Sequence, residues 1–333
     1  MNKLLYIFLI IFCWSCSQNT ETEKHQSKRD QIVDVRDKMK EFSTQDVLIG
    51  RISRTYLIDN YLIITDYNSP DKLIHLFDKN TFKHLTSSTY HGQGPKEIAR
   101  IGHVGIDEAN RRFFVSDHGK LKIFVYDLDS VLTNPDYQPS VKMDIKIKQF
   151  PDDYLYINDT LCIARSIEPI GNNDFKPSVA RWNMATGEIT PMPYEYPDLE
   201  KVRFIYAASA EHQLYVQCYT QYDLMTICDF NGNLKWNIYG PKWKNGKTQT
   251  QHYSLDVNFC GDKILALYSG GDHRTDAYYP TKFLVFDLNG NYLKTLETGY
   301  KITDFCYDKE NNRLIITLND EIQFAYLDLR GII

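Results

Sequence analysis

The sequence predicts an all-β protein: a six-bladed β-propeller of four-stranded antiparallel blades, its ring closed by an N-terminal strand. Three observations predict it. A strand ending in Asp or Asn recurs six times, at Leu76-Phe77-Asp78, Val125-Tyr126-Asp127, Arg181-Trp182-Asn183, Ile227-Cys228-Asp229, Val285-Phe286-Asp287 and Tyr326-Leu327-Asp328. One strand earlier in each unit a second apolar marker begins, at Leu62, Phe113, Leu161, Leu214, Ile264 and Leu314. Gly187, Gly232, Gly290 and Gly331 follow four of the Asp/Asn residues by three or four positions. Asp and Asn side chains bond nearby backbone N–H groups, and Gly takes the positive φ of a tight turn. Two markers in fixed order, repeated every forty to sixty residues or so, are the pattern of radially arranged blades. A misread unit would change the count to five or seven.

The chain does not begin as strand. Met1-Asn2-Lys3 is cationic, residues 4–12 are apolar, and Cys13-Trp14-Ser15-Cys16 follows. That run falls short of the roughly twenty residues of a membrane helix and suits a signal peptide over residues 1–15. Small Ser15 ahead of Cys16, then an abruptly polar stretch, resembles the lipobox of bacterial lipoproteins. The resemblance implies cleavage before Cys16 and lipidation of Cys16. Cys13 and Trp14 depart from the usual pattern, and an ordinary secretory signal is the alternative. Residues 16–45 are expected to be a polar tether and lead-in. Residues 17–30 offer no apolar surface to offset the entropy of ordering, and 31–45 read as a short helix or loop. The propeller is expected over 46–333. Its last unit stops short of a fourth strand, so 46–53 are expected to cover that open edge.

Composition removes one class of function. With 38 Lys and Arg against 43 Asp and Glu, interspersed, the net charge of -5 leaves no basic stripe for nucleic acid. Beyond the signal, Cys162, Cys218, Cys228, Cys260 and Cys306 fit no zinc spacing and sit in apolar contexts. They read as small buried hydrophobes, with a Cys218–Cys228 pairing left open.

Pro95, Gly105-Ile106-Asp107, Phe114-Val115-Ser116-Asp117 and Lys122 to Asp127 resemble the NHL-type propeller repeat. From residue 46 onward the chain is similar to the TolB-like six-bladed propeller lipoproteins of Bacteroides and relatives. That resemblance implies the fold and an outer-membrane anchor, periplasmic or surface-exposed; the protein is expected to be monomeric. It implies little about activity, because propellers host both binders and enzymes.

Loop lengths point to one face. Turns between strands one and two, and three and four, are short, whereas residues 87–103, 165–176, 238–252 and 268–281 gather on the opposite side. Long loops in a compact domain tend to carry function. On that face Tyr67, His91, Gln93, Arg165, Tyr219, Tyr268, His273 and Arg274 are the candidate ligand contacts, with Arg165 and Tyr268 expected to point at the axis. Tyr and Arg anchor interfaces, and Tyr stacks on sugars. The expected partner is a protein or a glycan. GQGPKE lacks the Lys-Ser/Thr and the helix of a phosphate loop and reads as a blade connection. No HExxH, Gly-x-Ser-x-Gly or EF-hand pattern occurs, so no catalytic residue, resident cofactor or metal ligand is assigned. The alternative is a hydrolase or lactonase with one divalent cation on the axis, for which Asp66, Asp117 and Asp272 would be the oxygen donors. Carboxylates converging on the axis would favour the enzyme; aromatic and basic groups would favour the binder.

Overall fold

The computed structural model describes residues 21–333 apart from 45–46, 135, 146–147, 172–173, 198 and 200–201. The signal-like segment and Cys16 lie outside the described residues. Six antiparallel sheets follow one another round a ring. Blade 1 comprises Ser53–Ile58, Tyr61–Asp66, Lys72–Asp78 and His84–Tyr90. Blade 2 comprises Ile101–Asp107, Arg112–Asp117, Lys122–Asp127 and Ser140–Asp144. Phe150–Asn158, Leu161–Gly171, Asp174–Asn183 and Glu188–Pro191 form blade 3. Phe204–Ser209, Leu214–Tyr219, Leu224–Asp229 and Leu234–Tyr239 form blade 4. Blade 5 is Thr250–Cys260, Lys263–Asp272, Lys282–Asp287 and Tyr292–Glu297. Blade 6 is Ile302–Asp308, Arg313–Leu318 and Phe324–Asp328, completed by Lys40–Glu41.

Both sequence markers have physical causes in this ring. The second strand of a blade is covered on both faces, so its apolar residues run without alternation. Ile63 packs toward blade 2, while Leu62 and Ile64 pack toward blade 6. The Asp or Asn ending each third strand holds the following turn. Asp78 Oδ1 accepts the amides of Asn80 and Thr81 at 3.0 and 2.7 Å. Asp229 accepts those of Asn231 and Asn233 at 2.9 and 3.0 Å, with Gly232 at φ 79°.

Three expectations need correction. The strand that closes the ring is not 46–53. Lys40–Glu41 pairs antiparallel with Phe324–Asp328, and Phe42 stacks on Phe82 of blade 1 at 3.9 Å. Ser53 instead opens the first strand of blade 1. The stretch 17–30 is not all tether either. Glu23–His25 adds in parallel to the outer strand of blade 4, and Ile32–Asp34 does the same on blade 5. Backbone pairing needs no apolar side chains, which is why a polar segment can dock on a sheet edge. Finally, the face of short turns carries one insertion, the helix Leu128–Thr133 between strands three and four of blade 2.

Cys162, Cys218, Cys228 and Cys260 are buried, Cys306 is partly buried, and all five thiols are free. Cys218 packs on the face of blade 4 toward blade 5, Cys228 on the face toward blade 3. Opposite faces of one sheet cannot be bridged by a disulfide.

Candidate functional site

The first strands of the six blades touch their neighbours all round and enclose an axial chamber of about 410 Å³. One layer of side chains sets its chemistry: Arg54, His103, Asp153, Tyr206, Asp256 and Asp304, one from each blade. These residues hold equivalent places in the repeat. Arg54, Asp153, Tyr206 and Asp256 stand eight residues before the second-strand marker of their blade. His103 and Asp304 stand ten before theirs, the two extra residues lying in the longer turns.

Regular pleating does not place them all. The ladder between first and second strands is irregular at Ile101/Val104, Pro151/Asp153, Tyr253/Val257 and Ile302/Asp304. Each irregularity falls at the charged residue of its blade, whereas the strands of Arg54 and Tyr206 keep regular register there. A bulge gives up ladder bonds and re-aims a side chain. At blade 5 the bulge also holds Leu255, next to Asp256, at φ 67°, a left-handed conformation unfavourable for a residue with a Cβ.

Electrostatics divides the layer. Blades 1 and 2 contribute Arg54 and His103, and blades 3, 5 and 6 contribute carboxylates. His103 Nδ1 faces Asp153 at 3.1 Å, while its Nε2 contacts the Tyr154 carbonyl at 2.8 Å. Burial pushes the His103 imidazole down, against the pull of Asp153. Burial also works against the Asp153 carboxylate, but His103, Arg165 and Arg54 outweigh it and hold it below the usual range. Asp304 Oδ2 accepts the Thr55 amide at 2.7 Å and its hydroxyl at 2.9 Å. Burial raises the Asp304 carboxyl, and burial together with Asp304 raises Asp256 well above the carboxylate range. The Arg54 guanidinium makes no hydrogen bond or ion pair with any described residue. The nearby Tyr67, Tyr56, Asp304 and Asp153 still hold it firmly protonated.

Beside the chamber, on the long-loop face, a groove of about 560 Å³ lies between blades 2, 3 and 4. Arg100, Arg203 and His118 line it together with Phe150 and Phe175. Arg100 and Arg203 are exposed, and neither guanidinium is paired with a described residue. Arg165 borders the groove and reaches toward the axis, clamped by two hydrogen bonds to Asp152 at 2.9 Å and one to the Phe204 carbonyl at 3.0 Å.

Of the eight candidate contacts, two come together near the axis. Tyr67 sits beside Arg54 and donates to the Gly102 carbonyl at 3.1 Å, and Arg165 stands next to Asp153. His91 and Gln93 are exposed on the connection between blades 1 and 2. Tyr219 and Tyr268 are core residues, 2% and 6% exposed, and Tyr219 also borders a cavity of about 560 Å³ between blades 3 and 4. Tyr268 lies between blades 4 and 5, within the core that joins them, and not on the axis as expected. His273 and Arg274 are engaged locally, by the Gln249 carbonyl and by Asp272.

The carboxylates suggested for an axial cation do not gather. Asp66 takes the amides of Gly50 and Asn68, Asp117 those of Ala99, Arg100, Gly119 and Lys120, and Asp272 pairs with Arg274. No group of three His, Cys, Asp or Glu suited to a metal occurs among the described residues. In the chamber itself a guanidinium shares the space with Asp153 and Asp304 and competes with any cation for them, so the donor set does not fit a metal. GQGPKE is also self-contained: Glu97 accepts the Gly94 amide, and Lys120 caps the Glu97 carbonyl at 2.7 Å.

Residues 22–168 match the DUF5128 family model, described as a 6-bladed beta-propeller. The fold is that of a six-bladed β-propeller. Among solved structures the chain is similar to a member of the DUF4221 family from Bacteroides vulgatus, at 12% identity over 87% of this chain and 95% of that one, TM-score 0.54. A Bacteroides fragilis protein named as exported gives 9% identity, 92% and 98% coverage, and TM-score 0.55. Regucalcin from Agrobacterium tumefaciens, a calcium-binding protein, gives 8% identity, 89% and 94% coverage, and TM-score 0.53. At such identities the likeness concerns the propeller fold alone. No match was found among curated protein sequences. No helix among the described residues is long and apolar enough to cross a membrane.

Proposed function

We propose that this propeller is a lipid-anchored, extracytoplasmic binding module that holds a protein loop or a glycan on its long-loop face. The observation that supports it is the groove beside the channel mouth, which Arg100 and Arg203, unpaired among the described residues, line together with Phe150 and Phe175. Guanidinium groups bind carboxylates bidentately, and ring faces cover apolar or sugar surface. An acidic glycan or an acidic protein loop answers both. The anchor is Cys16; acyl labelling that survives Cys16→Ala would remove it from the proposal. Binding to an acidic polysaccharide such as polygalacturonate, with neutral dextran as control, tests the groove. The Arg100→Ala/Arg203→Ala pair is expected to weaken polygalacturonate binding about tenfold, a loss of about 1.4 kcal/mol. Equal affinity for dextran, or no effect of the pair, would count against the groove.

One observation favours a second reading. Asp153, Asp256 and Asp304 line the axial chamber together, so a hydrolase would have to work with these carboxyls although no metal-suited group occurs among the described residues. Metal analysis of the purified protein with and without chelator separates the two. A near-stoichiometric divalent ion whose removal lowers the melting temperature would support the hydrolase, and no chelator effect would leave the binder.

A further inference from the structure

The axial chamber is lined differently from the groove, and it carries an assignment of its own. Two of its six layer residues, His103 and Asp256, lie inside breaks of the strand register, and Asp153 and Asp304 are the first paired residues after one. Spacing the blades needs no such irregularity, as the regular first strands of blades 1 and 4 show. What these register breaks do is bring His103, Asp153, Asp256 and Asp304 into one layer.

Within that layer, His103 and Asp153 face each other at 3.1 Å. Arg54 and Asp304 do not form a pair, although they come from adjacent blades. Asp304 is 6% exposed, and only its Oδ2 is engaged by described residues, through Thr55. Arg54 keeps its donors, and Asp304 Oδ1 keeps its acceptor capacity. Asp256, on the other side of Asp304, adds a second carboxylate, held by the Val257 amide and the Asn258 side chain. Opposite charges kept apart in one chamber are complementary to a molecule that carries both charges itself.

Below the layer the lining changes. Two or three positions further along the same strands come Tyr56, Ile106, Leu155, Ala208, Asn258 and Cys306, as the two-residue period of a strand requires. Most of that wall is apolar. A chamber of about 410 Å³ falls within the roughly 300–1,000 Å³ typical of small-molecule sites.

We propose that the chamber binds a small zwitterion, an α-amino acid with an apolar side chain, its ammonium toward Asp304 and Asp256 and its carboxylate toward Arg54. The side chain then occupies the apolar wall below. A simple amine leaves Arg54 without an anion, a carboxylic acid leaves the aspartates without a cation, and a neutral sugar leaves both. The site does not depend on the groove reading, because none of the groove arginines enters it.

Calorimetry on the purified protein tests this with L-leucine as the probe. Glycine, isoamylamine, 4-methylpentanoate, glucose and calcium chloride are the comparisons. L-Leucine is expected to bind at one site per chain and about tenfold or more tighter than glycine, isoamylamine or 4-methylpentanoate. Arg54→Met should abolish the advantage of leucine over isoamylamine, and Asp304→Asn its advantage over 4-methylpentanoate. Arg54→Lys, which keeps the charge, should retain part of the leucine affinity and guards against loss through misfolding, with melting curves run on every variant. The Arg100→Ala/Arg203→Ala protein should bind leucine unchanged, so failure of the groove reading and failure of this one remain distinct. No leucine binding at about 10 mM, equal binding of the amine or the acid, or binding of glucose or calcium alone would overturn the assignment.

Discussion

At the scale of single residues, the axis departs from the usual arrangement of buried charge. Charges out of water are ordinarily paired, yet Asp256 lies where burial and Asp304 both disfavour its ionised form. A carboxyl raised in the folded state stabilises the fold below its unfolded value and loses that contribution as pH rises through its folded value. Asp256→Asn removes the penalty of the ionised form. It is therefore expected to raise stability by about 1 kcal/mol at pH 8, with the gain fading as pH falls toward the carboxyl's unfolded value, where the unfolded chain binds the proton as well. Thermal melts of both proteins from pH 4 to 8 check it; a gain that is constant with pH would mean the carboxylate is not strained. If the chamber holds a zwitterion, the penalty is the cost of keeping an ionisable carboxyl in place for its ammonium, a trade of stability for function seen at many sites.

At the scale of the blade, packing between neighbours depends on small residues opposite large ones. Gly105, in the first strand of blade 2, lies against the ring of Tyr154 in the first strand of blade 3, and a Cβ there would collide with it. Tyr154 in turn packs edge-on against Trp182 at 5.0 Å and is 3% exposed, so it cannot move aside. Gly105→Ala is expected to destabilise the protein by roughly 1–3 kcal/mol through overpacking. The same shift should disturb His103 and Asp153, which flank the contact. A denaturant melt reports the first effect, and weakened leucine binding the second; an unchanged midpoint would show that the blades can slide apart. The turns, by contrast, were legible without any of this. Asp78, Asp229 and Asp287 each bond amides within four residues, so their signal is contained in a short run of sequence.

At the scale of the molecule, the ring is held by a strap as well as by its closing strand. Residues 23–41 run across the outer edges of blades 4, 5 and 6 in turn. Midway, Arg29 reaches inward, bonding Asp223 at 2.9 Å and the Tyr253 hydroxyl at 3.1 Å. Asp223 is completely buried, and it also accepts the Lys242 amide at 3.0 Å. Taking away one partner leaves a buried charge uncompensated, which typically costs about 3–5 kcal/mol. Arg29→Ala, and deletion of 17–30, are therefore both expected to lower the melting temperature by many degrees, whereas Lys28→Ala, on an exposed ion pair, should leave it unchanged. Equal melting of all three with the wild type would show the strap to be ornamental. Under the proposed anchoring, Cys16 is then only seven residues from the docked strand at Glu23. At no more than about 3.6 Å per residue, the outer edge of blade 4 would be held close to the lipid surface.

The sequence by itself determined the blade count, the strand order and the turn chemistry, because each is written within one unit and repeated in the next. A repeat also hides information: Arg54, His103, Asp153, Tyr206, Asp256 and Asp304 stand in register along the chain, and aligning the units on their second strands would have picked them out. Loop length alone points to Tyr219 and Tyr268 as contacts, whereas both pack into the core. Only the tertiary structure decided that four register breaks bring the charged layer together, that Arg29 meets Asp223 across 194 residues, and that Lys40–Glu41 closes the ring. Those outcomes depend on which segments meet across the ring. Polar strap residues that dock by backbone bonds leave no hydrophobic pattern to read in advance.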